Sequence, residues 1–131
     1  MKRLITKNKN YMSTEIINIS KQEGNDHLYL TDNEGHAGKD TITTTVKPGD
    51  TVTWKLDPNG GIDQITGITA KPGSQNLFSE GSAPVDLKDP KTDWTGTIGK
   101  DATGTESYTI AYKIGNQQYA DDPDLEVKDD G

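Results

Sequence analysis

The sequence predicts an all-β chain, a Greek-key β-sandwich of about seven or eight strands. Three observations carry that expectation. Apolar residues recur with a period near two, the spacing of half-buried strands, and clusters of Gly, Pro, Asn and Asp separate the alternating stretches. No segment of helix length keeps apolar residues at i, i+3 and i+4. The 17 threonines, stiff at χ1, favour extended backbone.

In chain order, the first strands fall at 15–19 and 27–31. A pair follows at 41–46 and 50–56. Ile42, Thr44 and Val46 share one face, while Val52, Trp54 and Leu56 point inward and Thr51, Thr53 and Lys55 outward. Between them Lys47-Pro48-Gly49-Asp50 is a turn, because proline fixes φ and glycine accepts a positive one. A strand at 64–69 precedes the least regular part, KPGSQNLFSEGSAPVDLKDPKT at 71–92, an excursion with room for one helical turn or a short edge strand at 83–87. Strands at 94–98 and 105–114 come next. The latter is the clearest in the chain, with Tyr108, Ile110, Tyr112 and Ile114 alternating with Ser107, Thr109, Ala111 and Lys113. A last strand is expected at 124–128.

One domain is expected over residues 13–131, behind a flexible extension at 1–12. Leu, Ile, Val and Phe number only 23 of 131 residues. That is under the ~20% below which disorder becomes a concern, so order is argued from patterning. A formal charge of -7 and a pI near 4.7 repel phosphate backbones, and nucleic acid is not an expected partner. The absence of cysteine removes disulfides, thiolate metal sites, Fe–S clusters and cysteine nucleophiles. MKRLITKNKNYM starts basic but turns polar after Ile5, short of the apolar stretch of a signal peptide, and Met12 offers a second start. The expectation is a cytoplasmic chain as written, or an exported one if the native start lies elsewhere. No apolar run approaches the ~18 residues of a transmembrane helix.

Three pieces, TVKPGDTVTWKL at 45–56, GTESYTIAY at 104–112 and DPDLEVK at 122–128, together resemble the cupredoxin-like β-sandwich group over residues 41–128. The first is similar to that family's strand pair around a Pro-Gly-Asp turn, the second to the strand leading into the copper loop, the third to the closing strand. An immunoglobulin-like sandwich is the alternative, since such hairpins occur there too. The resemblance implies a blue-copper site of two imidazoles, a thiolate and an axial thioether, yet none of these ligands stands at the matching positions. The first histidine falls on Asp63 or Gln64, the cysteine on Tyr112, the second histidine within 113–116 and the methionine within 117–122. Neither copper nor any other cofactor is expected, and Tyr112 is expected to fill the volume beside the missing site.

Function therefore reads as a non-catalytic, small acidic binding or structural module whose partner is an unknown protein, glycan or small molecule. Its expected binding surface is the end of the sandwich that would carry copper, loops 57–64 and 115–122 with the 71–92 excursion beside them. Gln64, Phe78, Trp94, Tyr112 and Tyr119 are the candidate contacts, although Trp94 and Phe78 are also read as covering the open end, and Trp54 as core. The alternative is a calcium- or other divalent-ion module, because hard cations take clustered oxygen ligands. DPNGGID offers Asp57, Asn59 and Asp63, without a glutamate at the twelfth loop position, where Ile68 stands; ADDPDLEVKDDG offers Asp121, Asp122 and Asp124. In NDHLYLTDNEGHAGKD, His27 and His36 accompany Asp26, Asp32, Glu34 and Asp40, a stretch expected as a strand and a polar turn rather than a metal site. An uncharacterised enzyme is the weakest reading, for there is no Gly-x-Ser-x-Gly, no phosphate-binding glycine loop and no His-Glu-x-x-His.

Overall fold

Among the described residues the alternating stretches become eleven strands in two mixed sheets. The computed structural model describes residues 14–38, 42–74, 76–78, 84–87 and 92–128; the extension at 1–12 and Asp40 lie outside the described residues. The strands are β1 Thr14–Lys21, β2 Leu28–Asp32, β3 Ala37–Gly38, β4 Thr43–Val46, β5 Thr51–Leu56, β6 Gln64–Ala70, β7 Val85–Asp86, β8 Asp93–Thr97, β9 Thr105–Ile114, β10 Gln117–Asp121 and β11 Asp124–Val127. Among the described residues no helix is long and apolar enough to cross a membrane.

The first sheet runs β3-β2-β1-β5-β8-β7, with β1 and β5 parallel from Thr14 opposite Thr51 to Ile19 opposite Leu56. In the second, β9 takes β6 on one edge and β10 with β11 on the other, and β4 lies parallel to β11. Opposite β9, β10 and β11 keep one register across their gap, so they form a single line of chain interrupted at Asp122-Pro123. Proline has no N–H to give a ladder, but its carbonyl still accepts from Tyr108 N at 3.0 Å.

The inward rows meet in one core. Ile17, Ile19, Leu28, Leu30, Val52 and Trp54 come from the first sheet, and Ile65, Ile68, Tyr108, Ile110, Tyr112 and Leu125 from the second. Trp54, fully buried as expected, donates its Nε1–H to the Tyr108 hydroxyl at 3.1 Å and packs edge-on against that ring, centroids 5.7 Å apart. Truncating such a residue costs about 3–5 kcal/mol. Burial pushes the Tyr108 phenol far above its ordinary pKa. The Pro48-Gly49 turn is closed by Asp50, whose buried carboxylate accepts from Lys47 N at 2.8 Å, while Gly49 takes φ 88°.

Several expectations change. More strands are present than the seven or eight expected, because the two-residue strands β3 and β7 and the interruption between β10 and β11 leave no strong periodicity in the sequence. Residues 115–122 are not a loop. Gly115, at φ 62°, lets the chain reverse at once, and β10 returns along β9 as a hairpin. The edge strand expected at 83–87 is confined to Val85–Asp86.

Candidate functional site

Strand direction sets what each end of the molecule carries. The parallel strands β1 and β5 finish at the same end, where β6 begins and β9 turns into β10. The β5–β6 loop is tied there by Lys21 N to the Gly60 carbonyl at 2.8 Å, Asp57 N to the Ile19 carbonyl at 2.9 Å and Asp63 N to the Lys113 carbonyl at 3.0 Å. Gly60 lies so close to β1 that a Cβ there would sit 2.7 Å from Ser20 Cβ, so only glycine fits. Asp57 Oδ1 accepts from Asn59 N at 2.9 Å, and Asp63 Oδ2 accepts from Gly115 N, joining this loop to the β9–β10 turn.

Beside this loop lies an open cleft of about 710 Å³. Its rim is polar, formed by Asn18, Lys55, Asp57, Asp63, Thr92 and Asp93, and Leu56, Pro58 and Ile62 supply apolar surface. Asp57 and Asp63 were expected at a binding surface, and the cleft contains both. Asn18, Lys55 and Asp93 were missed. They come together because Asn18 pairs with Lys55 across the parallel β1–β5 ladder and Lys55 with Asp93 across β5–β8. No sequence signal gives that row without the register.

Behind the same end, a polar network crosses between the sheets. Asp121, 5% exposed, accepts from Leu28 N at 2.8 Å through Oδ2 and lies 3.0 Å from His27 Nδ1 through Oδ1. The fully buried Tyr112 places its hydroxyl 2.9 Å from Asp121 Oδ2 and 2.8 Å from the Asp26 carbonyl. With one proton it donates to one of these at a time. Tyr119 stacks on Tyr112 at 5.6 Å and donates to Asp26 Oδ2 at 3.2 Å.

These placements correct the expected contacts. Phe78 and Trp94, each 7% exposed, and Tyr112, 0% exposed, are packed in the core and offer no surface; Gln64 and Tyr119 are half-buried. Trp94 Nε1 is buried with no hydrogen-bond partner among the described residues. The expected acidic metal groups do not gather either. Asp121 is bound into the network above. Asp122 pairs with Lys71 at 3.3 Å and accepts from Thr109, and Asp124 accepts from Ser107 at 2.8 Å. Along a strand, neighbouring side chains point to opposite faces, which scatters such a run. A buried acid that sequence reasoning missed, Glu106, sits on the inward face of β9. Its carboxylate accepts from Leu77 N at 2.7 Å, and burial pushes its pKa up against the lowering effect of that bond.

At the opposite end of β2 the turn to β3 gathers Asp32, Glu34 and His36, while His27 lies at the other end of the strand; the two histidines do not share a site. Asp32 Oδ1 accepts from Glu34 N and His36 N, both at 3.0 Å. Its Oδ2 accepts from Thr44 Oγ1 at 2.7 Å and lies 2.8 Å from His36 Nδ1. Burial opposes the charge on Asp32, but the bonds from His36, Thr44 and the two amides outweigh it and hold the carboxyl below its ordinary value. The bond to Asp32 in turn pushes the His36 imidazole up.

A family model described as a domain of unknown function, DUF8788, matches residues 14–120. The chain belongs to this family. The match spans both sheets, from the first residue of β1 into β10. No curated protein matches the chain. Among solved structures it is similar to an inclusion body protein, PixA, from Burkholderia cenocepacia J2315, with a TM-score of 0.60 and 11% identity, covering 92% of this chain and 98% of that one. A cysteine protease inhibitor from Entamoeba histolytica aligns with a TM-score of 0.45 and 12% identity over 90% of this chain and 98% of that one. At such identities the first likeness speaks to fold alone.

Proposed function

We propose that this chain is a non-catalytic binding module on a copper-free, cupredoxin-like Greek-key sandwich, and that it holds a small polar ligand in the cleft beside the β5–β6 loop. The cleft is the observation that carries this reading. A polar rim of three carboxylates, one ammonium and two neutral polar groups around an apolar patch is the composition of a site that orients a small polar molecule. The rim charges favour a polyhydroxylated or amine-bearing ligand over an anion. The scaffold assignment draws support from where the three resembling pieces lie. They fall on β4 and β5, which the Pro48-Gly49 turn joins across the two sheets, and on β9 and β11, which pair in the second sheet; Tyr112, which the resemblance sets at the cysteine position, is fully buried.

The test is an amide chemical-shift titration of the full chain with neutral mono- and disaccharides and with alkyl amines. Shifts confined to residues 55–63 and 92–93, and lost in Asp57→Ala, are expected. Silence of those amides at millimolar concentration of every probe would overturn the binding reading and leave a structural role. The divalent-ion alternative finds no convergent group in the acidic loops among the described residues; what supports it lies at the other end of β2.

A further inference from the structure

We propose that the turn after β2 is a divalent transition-metal site, with Asp32 Oδ2, Glu34 Oε1 and His36 Nδ1 as its protein ligands. The three residues stand at alternate positions, and Gly35, at φ 92°, bends the chain so that their donor atoms all lie within 4.8 Å of one another. The imidazole nitrogen is 2.8 Å from the Asp32 oxygen and 3.6 Å from the Glu34 oxygen. For ligand atoms about 2.1 Å from a shared ion, those separations correspond to angles of roughly 85° and 120°, within the range that four- to six-coordinate ions use. The imidazole can therefore share an ion with either carboxylate.

The carboxylates are also held in place from outside the donor set. Thr44 Oγ1, on β4, donates to the Asp32 oxygen at 2.7 Å, and Thr45 N of the same strand donates to Glu34 Oε1 at 2.9 Å. Supporting bonds of this kind orient ligating oxygens and lower the entropy lost when an ion arrives. A shallow cleft of about 480 Å³, lined by Gly35, His36, Ala37, Gly38, Ile42 and Thr43, lies beside His36 and gives solvent access to that side of the turn. Binding replaces the proton on Nδ1 by the ion, and that proton leaves to solvent.

The donor set selects the kind of ion. One imidazole with two carboxylates suits Zn²⁺, Mn²⁺, Co²⁺ or Ni²⁺. Calcium takes six to eight oxygens and gains little from a ring nitrogen. The site lies at the far end of β2 from the polar cleft and stands or falls independently of it.

The experiment is isothermal titration of the chelator-treated, untagged full chain with ZnCl₂, beside thermal melts with and without the ion. A one-to-one isotherm and a higher Tm are expected. His36→Gln and Glu34→Gln should each weaken zinc at least tenfold, with folding verified by circular dichroism, whereas His27→Gln leaves the affinity unchanged. Asp32 is left intact because its bonds also support the turn. Absence of a zinc isotherm in the unsubstituted chain, zinc affinity in His36→Gln within twofold of it, or calcium binding as tight as zinc would each overturn the site.

Discussion

At one end of β2, His27 meets Asp121; at the other, Asp32 meets His36. Both are exposed imidazoles set against a buried carboxylate, and in both the carboxylate takes donors from each sheet. They differ in how far apart in the chain their parts lie. Asp32 finds His36 four residues on and Glu34 N two residues on, and Thr44 reaches it from another strand. Asp121 finds His27 and Leu28 across 94 and 93 residues. The first pair closes a turn, which needs little loop-closure entropy. The second exists only after β2 has docked against β9 and β10, so it reports the tertiary fold as the first cannot.

Removing each carboxylate should separate the two roles. Asp121→Ala leaves Leu28 N short of an acceptor in the core and removes the contacts of His27 and the Tyr112 hydroxyl to the carboxylate, and we expect a loss of about 2–4 kcal/mol in urea unfolding. Asp32→Ala should cost less, about 1–2 kcal/mol, because two of its four donors are amides of the exposed residues Glu34 and His36 that water can satisfy. Equal losses, or a larger one for Asp32, would break the distinction between turn closure and sheet docking.

The same contrast explains what the sequence disclosed. The spacing of Asp32, Glu34 and His36 is local, and their gathering on one polar turn was readable. The alternation along β5 and β9 placed Trp54, Tyr108, Ile110 and Tyr112 inward as observed. Asp121 was grouped with Asp122 and Asp124 as one acidic run, yet strand alternation and Pro123 send them to different neighbours. Its burial depends on β10, a strand hidden in a stretch with a single inward aromatic. The Asn18, Lys55 and Asp93 row required the order of three strands, which composition does not supply. Phe78, in the polar 71–92 stretch, reads from sequence either as a cover for the open end of the sandwich or as a ligand contact. It is buried because Glu106 holds the neighbouring Leu77 amide and Phe78 itself bridges to Ile98.

A smaller change sharpens the Asp121 end. Tyr112→Phe keeps the ring and its stacking on Tyr119 while removing one donor to Asp121, and a loss of about 1 kcal/mol is expected. If stability is unchanged in urea, the hydroxyl spends its proton on the Asp26 carbonyl instead, and Asp121 rests on Leu28 N and His27.

The smallest effect concerns pH and belongs to the turn. His36, raised above 6.5 by its bond to Asp32, contributes stability that is fully present below pH 6.5 and is lost as pH climbs through its folded value. Asp32, held below 3.8, contributes stability that is present above pH 3.8 and lost as pH falls through its own lowered value. The pair therefore favours the folded state most between those two limits. Melts of chelator-treated protein from pH 5.5 to 9 should show a Tm that declines on the alkaline side more steeply in the unsubstituted chain than in His36→Gln. The imidazole is half exposed, so solvent screens the interaction and the difference in slope is small. Parallel curves would mean that the turn is held by the two amides and Thr44 alone, with the imidazole contributing nothing to closure.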